Sequence, residues 1–162
     1  MAVWQFHIAF VPQGWINSGG DVDSLFEEAE GFDPALAWRQ YEDAQLERVL
    51  GRVLSNGKSW HSGLTFWGNV ETDDIQLWRS EGRVESIRVR FDLRKPNMTL
   101  FREVVNIARE LGLAILVPGT RSVLPVAVQP LLRAAAESEA AHFALDPASF
   151  LLQFEAANAR AT

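Results

Sequence analysis

"LTFWGNVETDDIQLWRSEGRVESIRVRFDL", residues 64–93, decides the fold. Ile87, Val89, Phe91 and Leu93 alternate with Ser86, Arg88, Arg90 and Asp92, which is the period of a strand with one buried face. Strand-like runs at about 63–68, 74–79 and 84–93 are separated by short polar links, and Glu81-Gly82-Arg83 is a tight turn. Links this short require antiparallel neighbours. The three strands therefore form a meander, and the domain is α+β rather than a doubly wound parallel sheet.

Upstream, "VWQFHIAFV" at 3–11 alternates in the same way. Trp4, Phe6, Ile8 and Phe10 share an apolar face that places Trp4 in the core, and Gln5, His7 and Ala9 lie opposite. Residues 13–33 read as a loop rich in Gly, Asp and Glu. Asp33-Pro34 then opens a helix expected to run to about Leu54, where "SNG" stops it. Downstream, Leu100, Phe101, Val104, Ala108 and Leu111 recur at helical spacing over 99–111, with Gly112 as the stop. "LAILVP" is a short buried strand that can pair with "SVLP" across "GTR". A helix over 128–139 carries Leu131, Leu132 and Ala135, and Asp146-Pro147 opens a last one with Phe150, Leu151 and Phe154. The order is β-α-β-β-β-α-β-(β)-α-α: a mainly antiparallel sheet of four to six strands with helices packed on one face. One domain spans 1–162, with about 140–162 a candidate helical appendage.

The totals narrow the function. A chain of 162 residues, 48% hydrophobic and 22% charged, can close a core without staples. The absence of cysteine removes disulfides, thiolate metal sites and cysteine nucleophiles, and fits a cytoplasmic protein. The N-terminus has no basic segment followed by a cleavage site, and no apolar run approaches the length of a membrane span. A net charge of −6 argues against non-specific binding to nucleic acid or anionic membranes and favours a basic partner.

Local motifs for chemistry fail on inspection. "NGKS" at 56–59 resembles the end of a phosphate loop, but Arg52 stands where the first glycine is needed and a helix precedes the loop instead of following it. A calcium loop starting at Asp21 would have Phe26 in place of its glycine and Phe32 in place of its final glutamate. His7, His61 and His142 are isolated, and no G-x-S-x-G elbow presents a serine. No catalytic, metal or cofactor site is expected. "NMT" at 97–99 reads as a helix cap.

Three constellations remain. Asp21, Asp23, Glu27, Glu28, Glu30 and Asp33 surround Phe26 and Phe32 with no basic residue before Arg39, which suits either a solvated loop or a docking site for a basic protein. On the first long helix, Arg39, Glu42 and Asp43 fall on the apolar stripe, as a charged pocket or as an overhanging end with an Arg39–Asp43 pair. On the polar sheet face, His7, Arg88 and Arg90 can share one surface, which is either solvated or able to bind an anion. All six tryptophans precede residue 79, and Trp78 lies beside the acidic corner Glu71, Asp73, Asp74.

The runs "DDIQLWRSEGRVESIRVRFDLR", "FREVVNIARELG" and "AAHFALDPASFL" give residues 70–151 a pattern that resembles small single-domain bacterial proteins, some of which are the immunity partners of polymorphic toxins. That resemblance implies an intracellular, acidic binding protein whose target is another protein. The leading expectation is thus a non-enzymatic protein that occludes a cognate toxin with Asp21, Asp23, Phe26, Glu27, Glu28, Glu71, Asp73, Asp74 and Trp78. The alternative is a small enzyme or anionic-ligand-binding domain using His7, Arg88 and Arg90. A third reading is a subunit that homodimerises through an edge strand or its C-terminal helices.

Overall fold

The computed structural model describes residues 2–27, 31–144 and 160. Its centre is a six-stranded sheet built from β1 (Gln5–Pro12), β4 (Leu64–Gly68), β5 (Asp74–Ser80), β6 (Arg83–Asp92), β7 (Leu113–Val117) and β8 (Ser122–Leu124). They lie in the order β4-β5-β6-β1-β7-β8, and every neighbouring pair is antiparallel. The 64–93 meander forms as expected. Glu81 and Gly82 both take positive φ, 51° and 75°, which matches the twist of a two-residue hairpin. The pairing of "LAILVP" with "SVLP" also forms, as β7 with β8.

One sheet face carries the main core. Phe6, Ile8, Phe10, Ile75, Leu77, Ile87, Val89, Phe91 and Ile115 are buried there beneath α3 (Leu46–Leu50), α4 (Met98–Leu111), α5 (Val128–Ala136) and α6 (Glu139–Ala144). The Phe91 ring stacks between Phe6 at 5.9 Å and Phe101 of α4 at 4.2 Å. Asn97 caps α4 by accepting from the Leu100 amide, and Gly112 ends it at φ 65°.

Three expectations are corrected. The helix over 34–54 is two short pieces, α2 (Ala35–Trp38) and α3, separated by irregular chain. An unbroken helix would press Arg39, Glu42 and Asp43 into the core; the break leaves Arg39 and Glu42 exposed and hands Asp43 to Arg79 at 2.9 Å. Tyr41 pins the break, donating to the Leu111 carbonyl at 2.7 Å. The helix over 128–139 likewise turns at Glu137-Ser138, where the Ser138 hydroxyl donates to the Ala135 carbonyl at 2.6 Å. Trp4 precedes β1 and is only half-buried, with the Arg94 guanidinium 4.1 Å above its ring. The helix expected around Phe150, Leu151 and Phe154 lies outside the described residues.

The second face is covered in part as well. The chain after β1 forms α1 (Gln13–Asn17), a 3-10 turn at 22–25 and a ribbon of β2 (Phe26–Glu27) with β3 (Gly31–Phe32). Leu25 and Ala37 from this excursion bury Val11, Ala114 and Leu116 in a smaller core. At the β4 end, Trp60 packs edge-on against Phe66 and Trp78.

Candidate functional site

The polar residues of the second face are mostly used to hold the sheet together. Trp78 Nε1 donates to Gln76 Oε1 at 3.1 Å, and Arg90 grips both oxygens of Asp74, its Nε at 2.9 Å from Oδ1. Asp73 accepts from the Asp92 amide at 2.7 Å, and Asp92 takes two bonds from the Arg94 guanidinium. Gln5 Nε2 donates to the Val70 and Thr72 carbonyls at 3.1 and 2.6 Å, tying β1 to the turn before β5. Burial pushes the Asp73 and Asp74 carboxyls above the ordinary range, and Arg90 opposes the shift at Asp74.

His7 stands directly across from Arg90 on this face. Burial, then the Arg90 and Arg88 charges, lower its pKa to about 4, so the ring is neutral at pH 7. Its Nε2 is buried with no hydrogen-bond partner among the described residues. Arg88, opposite Ala9, is exposed, forms no ion pair or hydrogen bond with the described residues, and holds its guanidinium 5.8 Å from the Phe32 ring centre. The two arginines therefore differ: Arg90 is committed to Asp74, and Arg88 is free to meet a ligand.

Arg88 and His7 border an opening in the sheet. β1 pairs with β6 from Gln5 to Phe10 but with β7 only from Ala9 to Pro12. Hydrogen-bond parity shows which atoms face the gap. Leu93 N donates to Trp4 O at 3.1 Å on the β6 side, and Gln13 N donates to Gly112 O at 2.9 Å on the β7 side. Main-chain groups alternate sides along a strand, so the odd-numbered residues of β1 face β7. Ala9 and Val11 meet Leu116 and Ala114 there. Gln5 and His7 meet no strand among the described residues, because β7 ends at Val117 and Pro118-Gly119 leads into the turn.

The resulting notch is a cavity of about 770 Å³ that wraps the edge of β1. Ile8, Phe32, Val117, Leu124 and Ala140 give it apolar walls. Val3 and Phe143, 59% and 71% exposed, also line it and form an apolar mouth. Glu137 and Glu139 sit on the helix side, and Arg88 is the only Lys or Arg among the lining residues described.

The residues expected to occlude a protein partner fall in separate places. Asp21 and Glu27 are exposed, and Asp21 caps the 3-10 turn by accepting from the Asp23 amide. Asp23 is exposed and 3.7 Å from Arg121, whose guanidinium also covers the Phe26 ring. Phe26 packs against Phe32 at 5.0 Å, and Glu28 lies outside the described residues. At the other corner Glu71 is exposed, whereas Asp73 is half-buried and Asp74 fully buried in the ladder just described. Trp78 is half-buried beside His61 and Trp60. His7 and Arg88 are brought together at the notch, whereas Arg90, across from His7, is bound to Asp74 and does not line it. Among the described residues no helix is long and apolar enough to cross a membrane, and no group of three or more His, Asp or Glu is placed to hold a metal.

Sequence reasoning did not find the free edge of β1 or the walls around Val117 and Ala140. One signal was available: "LAILVP" is shorter than "VWQFHIAFV" and ends in Pro118-Gly119, so its neighbour must outrun it. No family model, curated protein or solved structure matches the chain.

Proposed function

We propose that the protein is a binding domain that holds an amphipathic anion in the notch beside β1. The observation that carries this reading is Arg88, a cation without an ion pair or hydrogen bond among the described residues, on the lining of a cavity whose remaining walls are mainly apolar. At about 770 Å³ the cavity falls within the size range of small-ligand sites. A guanidinium that no described carboxylate pairs or hydrogen-bonds favours a carboxylate or phosphate, and the walls favour an apolar body attached to it. Binding rather than proton transfer is proposed because the Nε2 of His7, the atom that would move a proton, is buried. Titration of the ¹⁵N-labelled protein with hexanoate tests the idea. Shifts should concentrate at Arg88, His7 and Val117, and Arg88→Gln should weaken binding about tenfold, the loss of one charge-assisted bond. If hexanoate leaves the spectrum unchanged at high millimolar concentration, the reading is wrong.

A second reading, occlusion of a basic protein such as a cognate toxin, is favoured by one observation. Asp21, Asp23 and Glu27 are all exposed on an excursion that Leu25 anchors in the smaller core. A specific partner that stays bound after charge reversal at all three positions would count against it.

A further inference from the structure

We infer that the ligand of the notch is an extended peptide ending in a free carboxylate, added as a short strand to the open edge of β1. The inference rests on the anion-binding reading above and goes beyond it, because the notch offers main-chain as well as side-chain recognition. Three main-chain groups face the opening: the Gln5 carbonyl and both the amide and the carbonyl of His7, while the Gln5 amide is taken by Ala2 O at 3.1 Å. A fatty acid leaves these groups unmatched, whereas a peptide satisfies them with its own backbone, which is how strand addition obtains affinity. The free edge spans Gln5 to Ile8, four residues at about 3.3 Å each, so it holds three to four residues of an extended chain.

Charge sets the direction of that chain. The edge closes at Ala9, where pairing with β7 begins, and Arg88 lies opposite Ala9 on the other side of β1. A carboxylate belongs at this closed end and an amine does not. The peptide therefore enters past Val3 and Phe143 and runs parallel to β1, with its C-terminus at Arg88. In a parallel ladder the groups of one residue bond the two residues flanking its partner. His7 and Gln5 thus contact alternate amides of the peptide and skip the one between. Its side chains alternate towards the Phe32 wall and the Ala140 wall, both apolar.

The experiment uses the full chain and pools of N-acetyl tetrapeptides of Ala, Val, Leu and Phe, with free or amidated C-termini, and hexanoate as reference. Free-acid peptides should bind at least tenfold more tightly than hexanoate and shift the His7 amide resonance. Amidation and Arg88→Gln should each cost about tenfold, and the two together little more, since both remove the same contact. N-methylation of alternate peptide amides should abolish the gain, and methylation of the intervening amide should not. Arg88 is exposed, so its replacement leaves the fold in place, checked by an unchanged urea midpoint. If hexanoate binds through Arg88 but no peptide pool binds better, peptide addition is wrong and the anion site stands. If neither binds, both are wrong.

Discussion

Replacing Arg90 with methionine removes the counter-charge that does most to keep the Asp74 carboxylate ionised. Asp74 is 0% exposed and the Arg90 side chain 13%, and the guanidinium contacts both carboxylate oxygens. The only other bond to the carboxylate among the described residues is from Gln76 Nε2, at 3.5 Å. Breaking a buried pair from one side costs about 3–5 kcal/mol, because the remaining charge stays desolvated. For a domain of this size that is a large share of the total stability, so Arg90→Met should move the urea midpoint far down at pH 7. The loss should also depend on pH. Without Arg90 the folded-state pKa of Asp74 rises further above its unfolded value. The folded state then binds more protons in that window, and stability is regained as pH falls, by at most about 1.4 kcal/mol per unit. His7 titrates in the same range, so parent and variant are compared in a His7→Gln background, by urea unfolding followed through tryptophan fluorescence at pH 7 and pH 5. The double variant Asp74→Asn, Arg90→Met should be more stable than Arg90→Met alone at pH 7. A single-variant loss below about 1 kcal/mol, or one of equal size at both pH values, refutes the claim that this pair keeps a buried Asp74 ionised.

His7, with a folded-state pKa of about 4 against 6.5 in the unfolded chain, contributes stability that is present above pH 6.5 and lost as pH falls towards 4. His7→Gln should flatten the urea midpoint over that window, and the His7 ring protons should show no protonation shift by NMR until below about pH 5. Gly68→Ala should cost about 2 kcal/mol or more, since φ is 93° and the new Cβ would lie 2.2 Å from the Asp73 carbonyl oxygen. Gly82→Ala, at φ 75° with open space around it, should cost only the backbone term of about 1 kcal/mol, and thermal melts of the two variants separate clash from conformation. Tyr41→Phe should lose about 1 kcal/mol in the same assay, the worth of its bond to the Leu111 carbonyl.

How much of this was legible in the sequence follows from the range of the forces involved. The alternation of Ile87, Val89, Phe91 and Leu93 and the Glu81-Gly82 turn are written within one short segment, and both appear in the structure. The helix expected over 34–54 was not legible. Its interruption depends on Tyr41 reaching Leu111 and Asp43 reaching Arg79, contacts between residues 70 and 36 positions apart. The second sheet face misled for a related reason: a row of Gln, Asp and Arg reads as solvated until cross-strand register sets Asp74 opposite Arg90. At the notch, His7 and Arg88 were recognisable as candidates from alternation alone. The opening beside them was not, because an unequal pair of strand lengths leaves a gap only once strand order makes them neighbours.

That strand order also governs how the chain must be made. Of the six strands of the sheet β1 is made first, yet it must wait for β6, since it lies between β6 and β7 while β4, β5 and β6 can pair locally as they emerge. β6 is completed about 80 residues after β1 ends, a delay of roughly 4–16 s at ordinary rates of synthesis. Throughout that interval Phe6, Ile8 and Phe10 have no sheet to join, and both edges of a strongly apolar strand are open. Within this domain β1 is therefore the segment that holding chaperones should contact first, and a stalled chain lacking β7 is the species most prone to aggregate.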